Sequence, residues 1–370
     1  MKRKSLLFVW SYVFILSTIF ISCKDTDNSV FGDDFDFPVL TDANTIRFTV
    51  NVTGDWRQLN IVADGGRMVI DWGNGRMQKV EDPSSMAGGV TYRYGNKGSY
   101  NVRIWAEELQ LIDISGLLIS ISDLHLGNMP RMKSLVLNSI TDTRELNLNT
   151  FCPNVESINI GSFADLEHLE VEHCSRLQIY SNPKLTSMEL GNHPEVEELY
   201  CSYNGFSSFS LKGLPKLRSV DLGYNSALAS LELDENNGIN ALLISGCAFQ
   251  SVDDVLECCP SLNELSCSGN RLTELDLTKH LSIRELHCDH NRLTRLLVPE
   301  GQYFGHLYCH SNQLGEAALK TLFVSLGQVP KPTPEYPRPP QCRISYSDNP
   351  GNKESLKEIL KEKNWIVDEE

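Results

Sequence analysis

One pattern occurs three times in succession near the end of the chain, as LNELSCSGNRL at 262–272, IRELHCDHNRL at 283–293 and FGHLYCHSNQL at 304–314. The central leucines Leu265, Leu286 and Leu307 are 21 residues apart. The cysteines and asparagines that follow keep the same spacing, and they are Cys267, Cys288, Cys309, Asn270, Asn291 and Asn312. A single copy is too short to bury its own apolar side. We therefore expect the copies to stack on one another as the coils of a solenoid.

The pattern resembles the leucine-rich repeat, L-x-x-L-x-L-x-x-N/C-x-L, in a version with cysteine at the third apolar position. The resemblance predicts a mainly β solenoid with short strands on its concave side. The leucine and cysteine of each copy point inward, because alternate residues of a strand face opposite sides. Each asparagine is expected to hydrogen-bond backbone groups that become free where the strand turns out of the coil. Leucine-rich-repeat proteins are more often binding scaffolds than catalysts, so the resemblance implies that this protein is not an enzyme.

The repeat extends through most of the chain. Apolar strand cores recur from Ile112 onward at intervals of 19 to 23 residues, which predicts a solenoid over 108–349. Most copies also carry a second apolar doublet, the first at Leu124-His125-Leu126, which predicts extended segments on the far side of the coils. Residues 329–340 form a proline-rich insertion that is expected to be extended. Residues 350–370 predict a terminal helix and strand that cap the last hydrophobic layer of the solenoid.

A different pattern precedes the solenoid. Residues 45–107 alternate between apolar and polar positions and contain glycine-rich turns, which predicts a small β-sandwich. The stretch Asp71-Trp72-Gly73-Asn74-Gly75 and the later Tyr-x-Val motif at Tyr100 resemble the PKD-like, immunoglobulin-type module, with Asn74 in place of its usual second aspartate. Asp71 has the residue type of a metal ligand or catalytic acid, but an aspartate beside glycine is typical of a turn.

The N-terminus has the features of a targeting signal. A basic start, an apolar run and the sequence Phe20-Ile21-Ser22-Cys23 resemble a bacterial lipoprotein signal peptide at 1–22, which implies lipidation of Cys23. An uncleaved membrane anchor is the alternative. Residues 23–44 are acidic and lack periodicity, as expected of a flexible tether. Their charged start resembles surface lipoproteins of the Bacteroidetes, which implies an outer-membrane lipoprotein at the cell surface, with a periplasm-facing position as the alternative.

The net charge of -15 argues against nucleic acid as a partner, because binding to phosphates requires basic side chains. The sequence contains no phosphate-binding loop, no nucleophile elbow and no two-histidine zinc motif. It therefore predicts no catalytic residue, no metal site and no cofactor.

The chain has 11 cysteines. Those of the repeat column, including Cys201, occupy inward strand positions that suit a small hydrophobic side chain. Their Cβ vectors would run parallel from coil to coil, whereas a disulfide needs converging ones. We expect buried thiols there, while the redox state of Cys258, Cys259 and Cys342 is left open.

The outward strand positions are the candidate binding surface, because on a curved solenoid they line the concave side. The polar and aromatic residues predicted to share this surface are Tyr200, Glu264, Glu285, His287, Asp289, His306, Tyr308 and His310. Three interpretations compete: a solvated polar surface without a ligand, a recognition surface for a protein or glycan, and a metal or acid–base site.

These observations favour a cell-surface binding protein for adhesion or for host or nutrient interaction, anchored in the membrane by its lipid. Two alternatives remain, an extracellular glycan-degrading or metal-dependent hydrolase and a structural component of the cell envelope.

Overall fold

The computed structural model of the protein describes residues 45–368, apart from 55–56, 84–87, 118, 191–194 and 333–339. The predicted signal peptide, the predicted lipidation site Cys23 and the predicted tether lie outside the described residues, as does most of the proline-rich insertion. The predicted mainly β fold, a leucine-rich-repeat solenoid preceded by a small β-sandwich, is confirmed. None of the described helices is long and apolar enough to cross a membrane.

The described residues of the N-terminal module form six strands: β1 (Thr45–Val52), β2 (Arg57–Asp64), β3 (Met68–Asp71), β4 (Met77–Val80), β5 (Val90–Tyr94) and β6 (Gly98–Ala106). Two sheets enclose its core, in which Trp72 is 1% exposed and stacks on Tyr92. The carboxylate of Asp71 accepts a hydrogen bond from the Gly73 backbone N–H and pairs with Arg103. Asp71 therefore forms a turn and a structural ion pair.

Two strands join this module to the solenoid, β7 (Leu111–Leu117) and β8 (Ser120–His125). Strand β7 pairs antiparallel with β2 on one side, and β8 pairs antiparallel with β1. The sequence suggested that residues near Leu124 form the far side of the first coil, but the structure adds them to a sheet of the sandwich. The domain limit at residue 107 remains a prediction, and hydrogen-bonded strands continue across it.

One 14-stranded sheet runs from β5, β2 and β7 through every coil. After β7 all its strands are parallel, and the leucines lie in register, as in Leu265, Leu286 and Leu307. These strands are β9 (Ser134–Asn138), β11 (Ser157–Gly161), β13 (Arg176–Tyr180), β15 (Glu198–Tyr200), β17 (Ser219–Asp221), β19 (Ala241–Leu243), β20 (Glu264–Ser266), β22 (Glu285–His287), β24 (His306–Tyr308), β25 (Arg343–Ser345) and β26 (Ile366–Val367).

Short extended segments lie on the far side of the coils. The second apolar doublet that most repeats carry predicts such segments. They are β10 (Glu145–Asn147), β12 (His168–Val171), β14 (Ser187–Leu190), β16 (Ser208–Ser210), β18 (Ser230–Glu232), β21 (Glu274–Asp276) and β23 (Arg295–Leu297). The part of the chain that the structure describes also contains four helices, α1 (Leu148–Phe151), α2 (Asp253–Cys258), α3 (Glu316–Ser325) and α4 (Glu354–Glu362).

The last coil is covered at the C-terminus. Leu356 and Leu360 of α4 and the following Trp365 are buried. The indole N–H of Trp365 donates to the carbonyl oxygen of Gly327 at 2.9 Å. Strand β26 extends the long sheet by pairing with β25. This arrangement shields the terminal hydrophobic layer, which a solenoid would otherwise expose.

Candidate functional site

An asparagine ladder holds the coils that carry the candidate site. The Nδ2 atom of Asn291 donates to the carbonyl oxygens of Cys267 and Cys288, and its Oδ1 accepts from the Leu272 N–H. The same contacts recur at Asn270 and Asn312. Further members that the sequence did not single out are Asn182, Asn204, Asn225 and Asn349, together with Cys247, whose thiol donates to the Leu222 carbonyl oxygen.

The repeat cysteines lie inside the coils. Cys201, Cys267, Cys288 and Cys309 are 0% exposed and are free thiols. Burial raises the pKa of Cys267 and of Cys309 to about 12. Thiols in this environment stay protonated at neutral pH and are poor nucleophiles. They contribute to packing, and they do not reach the outward surface.

The outward side chains of β20, β22 and β24 form two neighbouring columns, which we call the strand face. Glu264, Glu285 and His306 are register partners in the first column, and Ser266, His287 and Tyr308 are partners in the second. All six are partly exposed. The strand face therefore brings together, over three adjacent strands, five of the eight residues that the sequence predicted for a binding surface.

The first column is a chain of ionisable groups. Nδ1 of His306 lies 2.8 Å from Oε2 of Glu285. Burial, followed by repulsion from Glu285, raises the pKa of Glu264. Glu285 is thus paired on one side with an imidazole and faces a like charge on the other. A cationic group from a partner would be attracted to this column.

The second column is aromatic. The rings of His287 and Tyr308 meet edge to face, with centroids 4.8 Å apart and planes at 87°. Burial lowers the pKa of His287, while Asp289 and Glu285 raise it and His306 lowers it further. The neutral imidazole and the phenol offer a rigid surface that can donate and accept hydrogen bonds.

A second group of polar residues lies just beyond the strand ends. Oδ2 of Asp289 is 2.9 Å from Nδ1 of His290 and 3.8 Å from Nε2 of His310. The imidazole rings of His290 and His310 have centroids 5.0 Å apart. The repeat pattern predicts Asp289 and His310 on the binding surface, but it does not predict His290 there. Its position directly before a ladder asparagine is the signal that marks it.

Tyr200 is separate from these groups. It occupies the same column as His287, but β17, β19 and β20 lie between their strands, a separation of about 19 Å at the usual strand spacing. Its hydroxyl lies 3.3 Å from a carboxylate oxygen of Glu198. A second pair of aromatic residues follows in the chain. The rings of Tyr203 and Tyr224 stack with their centroids 4.4 Å apart, and the two residues are 40% and 52% exposed. The sequence analysis did not select this tyrosine pair.

Comparison with one solved structure, the functional domain of InlJ, agrees with the fold, and two others are more distantly similar. The functional domain of InlJ from Listeria monocytogenes, which includes a cysteine ladder, is 20% identical, with a TM-score of 0.52 over 74% of this chain and 55% of that chain. A leucine-rich-repeat protein of Leptospira interrogans is 17% identical over 65% of this chain and 79% of that chain, with a TM-score of 0.31. YopM from Yersinia enterocolitica is 15% identical over 60% of each chain, with a TM-score of 0.24.

This chain thus spans about half the length of the InlJ domain that it matches. No protein-family model and no curated protein sequence matches it. The protein is a leucine-rich-repeat solenoid with an N-terminal β-sandwich, and the likeness to InlJ shows the fold alone.

Proposed function

We propose that this protein is a lipid-anchored binding protein of the bacterial cell surface, and that it holds a protein partner on the strand face. The side-by-side arrangement of Glu285, His306, His287 and Tyr308 on adjacent parallel strands supports this function. Short parallel strands hold these side chains in fixed register, so little entropy is lost when a partner orders them. The signal-like residues 1–22 and Cys23 support the surface location.

The chemistry of the strand face favours a protein over a glycan. Glu264 and Glu285 supply negative charge that suits lysine or arginine of a partner. The ring of Tyr308 has two close neighbours, because it meets the ring of His287 edge to face and its centroid lies 5.7 Å from that of His306. A sugar binds best to an open aromatic face, which this arrangement leaves little room for. The partner is therefore expected to present a basic, hydrogen-bonding surface.

A binding panel tests the proposal. The full-length protein is applied to immobilised extracellular proteins and, separately, to polysaccharides. Tyr308→Ala should weaken binding to the protein partner by about thirtyfold or more, the effect of losing a central aromatic contact. Glu285→Gln should weaken it less and mainly at low salt. Glu274→Gln, an exposed carboxylate on the far-side strand β21, is the matched control and should bind normally.

Three outcomes would contradict the proposal. Binding that is insensitive to Tyr308→Ala but lost with Glu274→Gln would place the interface on the other side of the coils. Binding to polysaccharides alone would make the ligand a glycan. Two blank panels, with circular dichroism showing a folded protein, would favour a structural role in the envelope.

A further inference from the structure

We propose that Asp289, His290 and His310 form a binding site for a zinc ion at the end of strands β22 and β24. Among the described residues these are the three His, Cys, Asp or Glu side chains whose donor atoms all lie within 4.8 Å of one another. One carboxylate and two imidazoles are a common donor set for zinc. The site is independent of the protein-binding role proposed above.

The local backbone explains why two consecutive residues face the same point. In an extended strand the side chains of Asp289 and His290 would point to opposite sides. His290 instead has a φ of 52°, so the chain leaves the extended conformation there. The third ligand, His310, comes from the next coil, whose backbone is tied to the same turn by the His290 N–H, which donates to the His310 carbonyl oxygen at 3.2 Å.

Two of the three donor separations lie on either side of the value expected for a tetrahedral ion, and the third is within 4.8 Å. Ligand atoms about 2.0 to 2.1 Å from zinc in a tetrahedron lie roughly 3.4 Å from each other. The distances from Oδ2 of Asp289 are 2.9 Å to His290 and 3.8 Å to His310, on either side of that value.

The surrounding groups hold the ligands in suitable orientations. The hydroxyl of Ser268 donates to Oδ1 of Asp289 at 2.6 Å, which leaves Oδ2 toward the histidines. Oγ of Ser311 lies 3.3 Å from Nδ1 of His310 and can accept a hydrogen bond from Nδ1–H, so that the lone pair is on Nε2. Such outer hydrogen bonds fix the tautomer and the orientation of metal ligands.

The site is also accessible. His310 and Asp289 have side chains that are 10% and 15% exposed, whereas His290 is 62% exposed. Zinc can therefore enter from the solvent side, and the fourth coordination position is open to water. The nearby Glu285–His306 pair supplies only two donors and serves as an internal comparison.

Zinc binding can be measured on the full-length protein by calorimetry and by metal analysis after dialysis. We expect one zinc ion per chain. His290→Ala and Asp289→Asn should weaken binding by about tenfold or more, and Ser268→Ala by a smaller factor. His168→Ala is the control, because His168 lies beside Glu170 on the far-side strand β12, and it should leave the affinity unchanged. His290 is exposed, so its replacement should preserve the fold, which circular dichroism checks.

Cobalt(II) as a spectroscopic probe separates this site from the cysteines. A site of two nitrogens and one carboxylate should give visible ligand-field bands without a thiolate-to-metal charge-transfer band. Calcium should not compete, because it prefers oxygen ligands. A charge-transfer band, zinc binding that survives His290→Ala, or no zinc retained by the folded wild-type protein would each overturn the proposal.

Discussion

The Nδ2 atom of Asn291 lies 2.9 Å from the carbonyl oxygen of Cys267 in the preceding coil. The same side chain accepts a hydrogen bond from the Leu272 N–H at 3.0 Å. Asn291 is 7% exposed, so these backbone groups have little access to water as a substitute partner. One side-chain amide therefore joins two of the coils that carry the strand face.

Asn291→Ala should lower the free energy of unfolding by about 1 to 3 kcal/mol, because it leaves buried backbone groups without partners. Denaturant unfolding and the melting temperature measure this. Asn263→Ala is the control, since Asn263 is exposed and its side-chain amide donates to the Ser282 carbonyl oxygen. Asn291→Cys should be milder than Asn291→Ala, as Cys247 already holds one ladder position with its thiol. An unchanged melting temperature for Asn291→Ala would refute the ladder's role.

The buried thiols should resist labelling in the folded protein. With a pKa of about 12, Cys267 and Cys309 hold almost no thiolate at pH 8, so a thiol reagent should modify them about a thousandfold or more slowly than a free cysteine. Among the cysteines of the described residues, the partly exposed Cys258 should react first. Peptide mapping by mass spectrometry gives the order, and labelling after unfolding without reductant shows whether all are thiols. Early modification of Cys267 would contradict its burial.

Glu264→Gln should stabilise the protein at neutral pH. Burial and Glu285 raise the pKa of Glu264 in the folded state, so the folded protein disfavours its ionised form. The stability that this group contributes is present below its unfolded pKa and is lost as pH rises through the folded value. The gain should stay below about 1 kcal/mol, because the site is partly exposed.

Melting curves of wild type and Glu264→Gln should therefore converge as the pH falls toward 4 and separate as it rises toward 7. Glu274→Gln is again the control, because Glu274 is exposed on the far side of the coils and lies near Arg295 rather than near another carboxylate. A difference between wild type and Glu264→Gln that grows on acidification would have the wrong sign.

Cys23→Ser should abolish lipid attachment, because the signal resemblance makes the Cys23 thiol the acceptor of the lipid. Palmitate labelling of producing cells and membrane fractionation test this. Cys258→Ser is the matched control and should label normally. Continued labelling of the Cys23→Ser protein would refute the anchor, and protease accessibility on intact cells would show which side of the outer membrane the wild type occupies.

Sequence analysis predicted the coils well because their spacing is a physical constraint. Strands in register need equal coil lengths, so the constant interval between Leu265, Leu286 and Leu307 predicts parallel pairing, which the structure has. The prediction for the first coil was less accurate, because it placed Leu124 on the far side of the solenoid. Its residues 120–125 alternate like any half-exposed strand, and only the presence of β1 beside them determines that they join the sandwich.

The candidate site shows the same division. Columns of outward residues follow directly from the repeat, so Glu264, Glu285 and His306 could be grouped from their numbers alone. His290 could not be grouped with Asp289 in this way, because the alternation of strand residues places the two side chains on opposite sides. Its left-handed backbone conformation is a property of the turn between strand and ladder asparagine.

The sequence by itself determined the repeat unit, the inward leucines and cysteines, the ladder asparagines and the outward columns, because each depends on local periodicity. The tertiary structure decided which groups meet across that periodicity. It brought His310 within 3.8 Å of Asp289 from the next coil, and it extended the solenoid sheet into β2 and β5 of the sandwich. Such contacts depend on turns and on packing between segments that are distant in the chain, and short-range patterns contain no information about either.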